Sequence, residues 1–303
     1  MNVLRGASAF TLICVSTLVL CIPLYLMGIV LALSRGRARQ AVNRRMDSII
    51  DLWVGVNRGI FRIFELTRIA AQWQGDDDVS RDRWYVVISN HRSWSDILIL
   101  QNTLWGRIPP LKFFTKQQLI WIPLLGVAMW LLGFPYVRRA SREQIARQPE
   151  LLALDRAATL EACRRFRDHP NTVLNFLEGT RFTAAKHAGQ QARFENLLNP
   201  KLGGMSYVVA ELEDKLHKII DVTIVYPHGT PSFWDLMQGR CPEVEVLIQC
   251  RDLPEDAHQT DADAVRERLA PWIEALWHEK DARLGAALKR QAPAAPARAT
   301  RTN

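Results

Sequence analysis

Trp84-Tyr85-Val86-Val87-Ile88-Ser89 runs without a break into Asn90-His91-Arg92-Ser93-Trp94-Ser95-Asp96. The first six residues are rich in β-branched and aromatic side chains, and polar residues bound them on both sides. They read as a short buried strand. A helix is expected next, over Trp94–Leu104. The same succession recurs downstream. Thr172–Phe176 (TVLNF) reads as a second buried strand and is followed at once by Glu178-Gly179-Thr180-Arg181. Ile219–Tyr226 (IIDVTIVY) is a third, stopped by Pro227. Leu111–Thr115 is a further candidate, and Glu243–Ile248 (EVEVLI) alternates as an edge strand does. Leu151–Arg167 and Asp261–Glu279 carry helical patterns. Strands that alternate with helices predict an α/β fold, with a mixed, mainly parallel sheet flanked by helices. Ligands of such sheets gather beyond the carboxyl ends of the strands. The two polar stretches that follow strand-like runs are therefore read together.

Upstream of this body, no charged residue lies between Arg5 and Arg35, and Ala7–Leu33 is dominated by Leu, Ile, Val, Phe and Cys. That run exceeds the roughly 20 residues that span a bilayer as a helix. It is too long for a cleaved signal peptide, and no A-x-A site precedes the arginines. It reads as an uncleaved membrane anchor, with a re-entrant hairpin at Pro23 as the other geometry open to it. One arginine precedes it, and Arg35, Arg37, Arg39, Arg44 and Arg45 follow, which puts the body on the cytoplasmic side. Met46–Thr67 reads as a second helix. At about 100° per residue, Asp47, Asp51, Arg58, Arg62 and Glu65 fall on one narrow stripe. A helix with so thin a polar face is either interfacial or clamped in a core. Its place beside an anchor favours the interfacial form. Gln117–Val137 is again uncharged, but Pro123, Gly126, Gly133 and Pro135 interrupt it. Short helices packed in a core or dipping into one leaflet suit it better than a second span. The organisation expected is an anchor and interfacial helix over 1–70, a catalytic body over 71–283, and a disordered basic tail over 284–303.

The chain has 303 residues, of which 48% are hydrophobic and 23% charged, so a wholly disordered protein is excluded. Lys and Arg number 39 against 31 acids, a net charge of +8. The cluster at Arg35–Arg45, together with Lys289, Arg290, Arg298 and Arg301, outnumbers that excess. A nucleic-acid binder carries its basic stripe on the folded domain. Here the charge sits beside an apolar segment and on a tail, which favours an anionic lipid surface and argues against a nucleic-acid partner. The five cysteines show no CxxC pairing, so neither a disulfide scaffold nor a zinc module is expected.

His91 and Asp96 lie five positions apart. On one continuous helix they point about 140° apart. If the helix starts after His91, with Ser93 as its N-cap, Asp96 falls in the first turn and can fold back to Nδ1. A histidine held by a carboxylate has a fixed tautomer and a competent general base at Nε2. The same residues also fit a capping box beside an ordinary loop histidine. No G-x-S-x-G elbow, H-E-x-x-H helix or P-loop accompanies them. What remains is a base that activates a hydroxyl of the substrate, with direct transfer and no covalent enzyme intermediate. In the second stretch, Gly179 permits close backbone approach, and Arg181 offers a planar fork suited to phosphate. Glu178 would orient the turn or the arginine. Lys116, Arg138 and Arg139 flank the uncharged segment, either as further phosphate contacts or as anchors that snorkel to headgroups.

Taken together, these motifs resemble the glycerophospholipid acyltransferases, the family of the 1-acylglycerol-3-phosphate O-acyltransferases. Asn90–Asp96 matches the block N-H-x-S-x-x-D. Lys116, Leu119–Gly126 and Phe134–Arg138 match the second block, Phe176–Arg181 the block F-x-E-G-T-R, and Val222–Pro227 the fourth. The longer run Val222–Asp235 (VTIVYPHGTPSFWD) looks like a bacterial branch of membrane acyltransferases. The fourth block departs from the commoner pattern in having Tyr226 before its proline. The resemblance implies that His91 takes the proton from the sn-2 hydroxyl of a lysophospholipid and that Asp96 orients His91. It implies that Arg181, Lys116 and Arg138 hold the acceptor phosphate, with Glu178, Gly179 and Thr180 shaping that site. The acyl donor implied is acyl-CoA or acyl-carrier protein, with no metal or bound cofactor, at a bacterial inner membrane. Another lysophospholipid acceptor is the nearest alternative. A non-catalytic tethered module that binds lipid or RNA through the basic tail is the competing class.

Overall fold

The computed structural model of the protein describes residues 2–75, 78–137, 147–148 and 150–291. Two long helices come first, α1 (Asn2–Leu33) and α2 (Gly36–Ile63), packed as a hairpin. The body then builds a six-stranded sheet, ordered β1 (Arg68–Gln74), β8 (Glu243–Arg251), β7 (Leu216–Val225), β2 (Trp84–Ser89), β6 (Thr172–Phe176) and β3 (Leu111–Phe113). Every neighbouring pair is parallel except β7 with β8. The sheet is thus mixed and mainly parallel, as the strand-helix alternation predicts. Two short strands, β4 (Thr115–Lys116) and β5 (Tyr136–Val137), pair separately.

The pleat of β2 shows how helices come to cover both faces. Val86 and Ile88 point into a cluster with Phe166, Leu269 and Trp277, while Tyr85 and Val87 point into one with Ile99, Leu100 and Phe61. Successive side chains of a strand face opposite ways, so a run apolar at every position needs a cover on each side. One cover holds α5 (Glu150–Arg164), α7 (Gly203–Glu211) and α9 (Ala262–Gln291). The other holds α1, α2, α3 (Asp96–Leu104) and α8 (Phe233–Met237). Two short helices, α4 (Leu125–Leu131) and α6 (Ala184–Gly189), complete the described set.

Several expectations change on contact with the structure. Arg68–Gln74 (RIAAQWQ) is a strand that its polar residues conceal, and its whole length pairs with β8 from Glu243 to Gln249. Glu243–Arg251 is therefore an inner strand rather than an edge. The last helix continues to Gln291, with Leu284 and Ala287 buried, so residues 284–291 belong to the body. The remainder of the expected tail, 292–303, lies outside the described residues, as does Arg138 with Arg139.

The hairpin turns at Ser34–Arg35, and α1 runs unbroken through Pro23. Among the described residues, α1 is the helix long and apolar enough to cross a membrane. It touches the body near both ends, where Phe10 meets Phe233 and Tyr25 donates to the Leu124 carbonyl, and it meets α2 between them, where Trp53 Nε1 donates to Thr17 Oγ1 at 2.8 Å. Three charges of the α2 stripe face the body as well. Asp47 is buried against Lys112 and His169, Asp51 pairs with Arg81, and Arg58 donates to the Asn102 carbonyl and lies over Trp105. Leu52 and Ile63 are left exposed. Ion pairs clamp Asp47 and Asp51 and a hydrogen bond clamps Arg58, while Arg62 and Glu65 of the stripe stay exposed.

Candidate active site

β2 delivers Asn90 and His91 to the carboxyl end of the sheet. Asn90 is fully buried, and its side chain extends the ladder. Nδ2 donates to the Ile224 carbonyl at 2.9 Å, and Oδ1 accepts from the Ile224 N–H at 2.8 Å. A buried backbone edge needs its partners, and Asn supplies a donor and an acceptor together. The chain then turns. Ser93 Oγ donates to the Pro231 carbonyl at 2.7 Å and accepts from the Ser95 N–H at 3.1 Å. Ser95, rather than Ser93, occupies the N-cap, and α3 begins at Asp96 itself.

That offset lets Asp96 reach back. Its Oδ2 accepts from the backbone N–H of Arg92 at 2.6 Å and of Ser93 at 2.9 Å, and lies 2.8 Å from His91 Nδ1. Its Oδ1 accepts from the Tyr226 hydroxyl at 2.6 Å. Asp96 is fully buried, and the His91 side chain is 15% exposed. An ionised carboxylate there fixes the proton on Nδ1 and leaves the lone pair on Nε2. Nε2 makes no hydrogen bond to any described residue. Phe176 stacks on the imidazole at 4.0 Å between centroids and holds the ring plane.

Of the two partners expected for Glu178, the turn or the arginine, the structure shows it acting on the turn. Its Oε1 accepts from the His91 N–H at 2.7 Å and its Oε2 from the Leu198 N–H at 3.0 Å. It ties the second motif to the first and does not touch Arg181. Burial pushes its carboxyl up to about 7, against the two N–H donors and Arg92. Gly179 sits at φ +67° beside Lys201. Thr180 Oγ1 accepts from Lys186 Nζ at 2.7 Å, and the same ammonium donates to the Arg181 carbonyl at 3.0 Å. The Arg181 guanidinium lies 4.5 Å over the Trp94 ring, on the loop that carries His91. The Phe182 N–H donates to the His91 carbonyl at 2.7 Å. The turn and the histidine loop are therefore laced together at backbone level.

His91, Asp96, Glu178, Gly179, Thr180 and Arg181 thus form one constellation. Lys116 ends β4 with its side chain exposed and makes no hydrogen bond or ion pair to a described residue. Lys186, Lys201, Arg92 and Tyr226 join the site without having been singled out for it. Their only sequence signal was proximity to the motifs, and in Tyr226 the departure from the commoner fourth block. A cavity of about 650 Å³ lies elsewhere, walled by Arg58, Arg62, Arg68 and Asn102. No histidine lines it, so the pairing of His91 with Asp96 locates the chemistry better than cavity size does. Among the described residues, no group of three His, Cys, Asp or Glu is disposed to hold a metal.

The carboxyl end of the sheet therefore carries a histidine–aspartate pair with an open Nε2 beside an arginine-bearing turn. Comparison with known proteins bears on this directly. The profile of the Acyltransferase family matches residues 71–227, from β1 to just past β7. The chain belongs to that family. The human 1-acyl-sn-glycerol-3-phosphate acyltransferase gamma is 26% identical over 213 residues, covering 65% of this chain and 51% of the relative. The mouse 1-acyl-sn-glycerol-3-phosphate acyltransferase epsilon is 22% identical over 293 residues, covering 86% and 73%. The chain therefore spans about half the length of the first of these relatives. The crystal structure of the 1-acyl-sn-glycerophosphate (LPA) acyltransferase PlsC from Thermotoga maritima aligns over 92% of this chain and 96% of its own, with a TM-score of 0.49 and 15% identity.

Proposed function

We propose that the protein transfers a fatty acyl group from a thioester donor, acyl-CoA or acyl-carrier protein, to the sn-2 hydroxyl of 1-acylglycerol-3-phosphate, giving phosphatidic acid. The observation that carries this reading is the 2.8 Å contact of His91 Nδ1 with a fully buried Asp96, which leaves Nε2 open. In the reaction, Nε2 removes the hydroxyl proton as the oxygen attacks the thioester carbonyl carbon. The tetrahedral intermediate collapses by breaking the C–S bond, and the imidazolium returns its proton to the thiolate. Asp96 steadies the positive charge that appears on the ring between those steps. No group on the enzyme is acylated.

Arg181 supports the choice of a phosphate-bearing acceptor. Its guanidinium stacks on Trp94 and makes no ion pair with a described residue. Lys186 and Lys201 crowd the same turn. Phosphate recognition by arginine gains from a planar fork already fixed in place. Lys116 is assigned the same phosphate on the family's pattern alone.

The acyl chains call for a lipid surface. Trp121, Leu124, Val127 and Trp130 are exposed in and around α4, beside the exposed outer face of α1. Because α1 lies along the body, it is better placed in the plane of one leaflet than upright across the bilayer. The arginines that follow it would meet anionic headgroups on the cytoplasmic side.

The test is acyl transfer to lysophosphatidic acid by the full chain in membranes. His91→Ala, expressed at the wild-type level, should lose at least about 10²-fold in rate. An unchanged rate refutes the base. A panel of lysophospholipid acceptors tests the head group: preference for a diester acceptor over the phosphate monoester overturns that part.

A further inference from the structure

The described catalytic pair leaves one strong contact unexplained. Tyr226 follows β7 directly, where the commoner form of the fourth block has no tyrosine. Its ring is buried in the cluster with Ile99, Leu100 and Leu236. Its hydroxyl reaches Asp96 Oδ1 at 2.6 Å. The other oxygen, Oδ2, takes His91 Nδ1 and the N–H groups of Arg92 and Ser93. The Arg92 guanidinium acts on Asp96 through space only, since it donates to the Asn196 carbonyl at 2.6 Å. The phenol is therefore the one side-chain donor available to offset the carboxylate from the far side.

We infer that Tyr226 is a positioning residue of the catalytic pair, whose hydroxyl fixes the Asp96 carboxylate and lowers the basicity of His91. This rests on the general-base reading of His91. Two physical effects follow from one hydrogen bond. With Oδ1 held by Tyr226 and Oδ2 held by two backbone N–H groups, the carboxylate cannot rotate away from Nδ1. A donor on Oδ1 also spreads the negative charge, so the pull of Asp96 on an imidazolium is weaker. His91 then carries its Nε2 lone pair down to a lower pH than a histidine–aspartate pair lacking the tyrosine. A base that stays unprotonated is available to more of the enzyme at the working pH.

The phenol keeps its proton throughout. Burial and the adjacent Asp96 both push its pKa above the ordinary tyrosine value. The other ionisable groups around the three residues come from four elements. Glu178 holds the His91 backbone from the turn after β6, Arg92 adjoins His91 in the loop, Asp281 of α9 faces Arg92, and the Cys241 thiol faces Tyr226 from the segment before β8. Among the described residues, none of these makes a hydrogen bond to the phenol, so its effect should pass through Asp96.

The experiment is an NMR titration of the full chain in detergent micelles, labelled with ¹⁵N-histidine, the His91 ring signals being identified by their loss in His91→Ala. In Tyr226→Phe, the His91 midpoint should rise by about half a unit to one unit. The acid limb of kcat/KM should move up by the same amount, with KM for both substrates within about two-fold of wild type, because a distal hydrogen bond alters the base rather than substrate binding. Replacement of Tyr226 by 3,5-difluorotyrosine, a stronger donor that keeps every contact, should move the midpoint down. Midpoints that coincide with wild type in both variants overturn the inference, as does a downward move in Tyr226→Phe. Should Tyr226→Phe fail to fold, the fluorinated variant decides alone. The ring titration needs no turnover. A His91→Ala variant that retained acyl transfer would refute the general-base reading of His91 and leave the Tyr226 result standing or falling by itself.

Discussion

His91 and Asp96 meet beyond the carboxyl end of β2, while His169 and Asp47 meet at the opposite end of the sheet, ahead of β6; both contacts are 2.8 Å. Their settings differ in every other respect. Asp96 takes Nδ1 and leaves Nε2 open, in a side chain that is 15% exposed. Asp47 takes Nε2 and leaves Nδ1 buried without a partner. Asp96 accepts from two backbone N–H groups and a phenol and is in direct contact with no described Lys or Arg side chain, whereas Asp47 also pairs with the buried ammonium of Lys112 at 2.9 Å. A histidine–carboxylate distance is thus uninformative by itself. What separates a base from a clamp is which ring nitrogen is spent and whether a cation has already neutralised the carboxylate.

Removing the histidines gives the widest separation between the two pairs. His91→Ala should lower the acyl-transfer rate by about 10²- to 10⁴-fold with an unchanged melting temperature. His169→Ala should leave the turnover of the folded protein as it was and lower its melting temperature. Rate and melting should be followed in the same membrane preparation. A large rate loss in His169→Ala would end the contrast.

The partner carboxylates invert that pattern. Asp47→Ala strands Lys112, which is 3% exposed, in a site without a counter-charge. Breaking one side of a buried ion pair costs about 3–5 kcal/mol. Denaturant unfolding should register that loss, and the rate per folded molecule should persist. A stability change below about 1 kcal/mol would show that water replaces Asp47, as it does in exposed pairs.

The two pairs also differ in how far the sequence disclosed them. Strand runs that end in polar motifs placed His91, Asp96, Glu178 and Arg181 at one end of the sheet, and the fold-back of Asp96 was readable from its spacing. The Asp47 site was not. A helical projection of α2 shows that Asp47, Asp51 and Arg58 share a stripe, but only packing shows which way a stripe faces. Here it faces Lys112, His169 and Arg81, far away in sequence. β1 was hidden for a related reason. RIAAQWQ lacks the apolar run of an inner strand because it lies at the sheet edge, and without it β8 looked like the edge. For Glu178 the spacing leaves the turn and Arg181 both open as partners, whereas its hydrogen bonds go to the backbone of His91 and Leu198. Local spacing carries local geometry; contacts between distant segments leave no such mark.

Acid and base should act oppositely on the two ends. Burial, opposed by two backbone donors and Arg92, leaves the Glu178 carboxyl at about 7, against an ordinary 4.5. Its stabilising share is complete below 4.5, declines as pH rises, and is gone above about 7. Burial alone would raise Asp47 too, but Lys112 and His169 outweigh it and hold that carboxyl below its ordinary value of 3.8. Its share is present above 3.8 and is lost as pH falls through the lowered value. Unfolding free energies taken from pH 3 upward should therefore show Glu178→Gln flattening the slope between about 4.5 and 7, and Asp47→Asn flattening the acid end, each within a ceiling of about 1.4 kcal/mol per pH unit. An unaltered slope in Glu178→Gln would mean that the two N–H donors keep that carboxyl ionised.

The smallest expected effect uses one glycine from each end. Gly179 at φ +67° and Gly133 at φ +79° both adopt the left-handed conformation, which costs other residues about 1–2 kcal/mol. A Cβ at 179 would stand 3.0 Å from Lys201 Cδ, whereas one at 133 would come no nearer than 3.6 Å to Lys112 Nζ. Gly133→Ala should therefore incur the backbone strain and nothing more. Gly179→Ala should incur the same strain and also displace Lys201 from the turn that carries Thr180 and Arg181. Stability should fall by a similar amount in both variants, while the KM for a phosphate-bearing acceptor rises only in Gly179→Ala. If KM rises equally in both, the turn is sensing global loosening, and the contrast between a binding end and a clamping end of the sheet is lost.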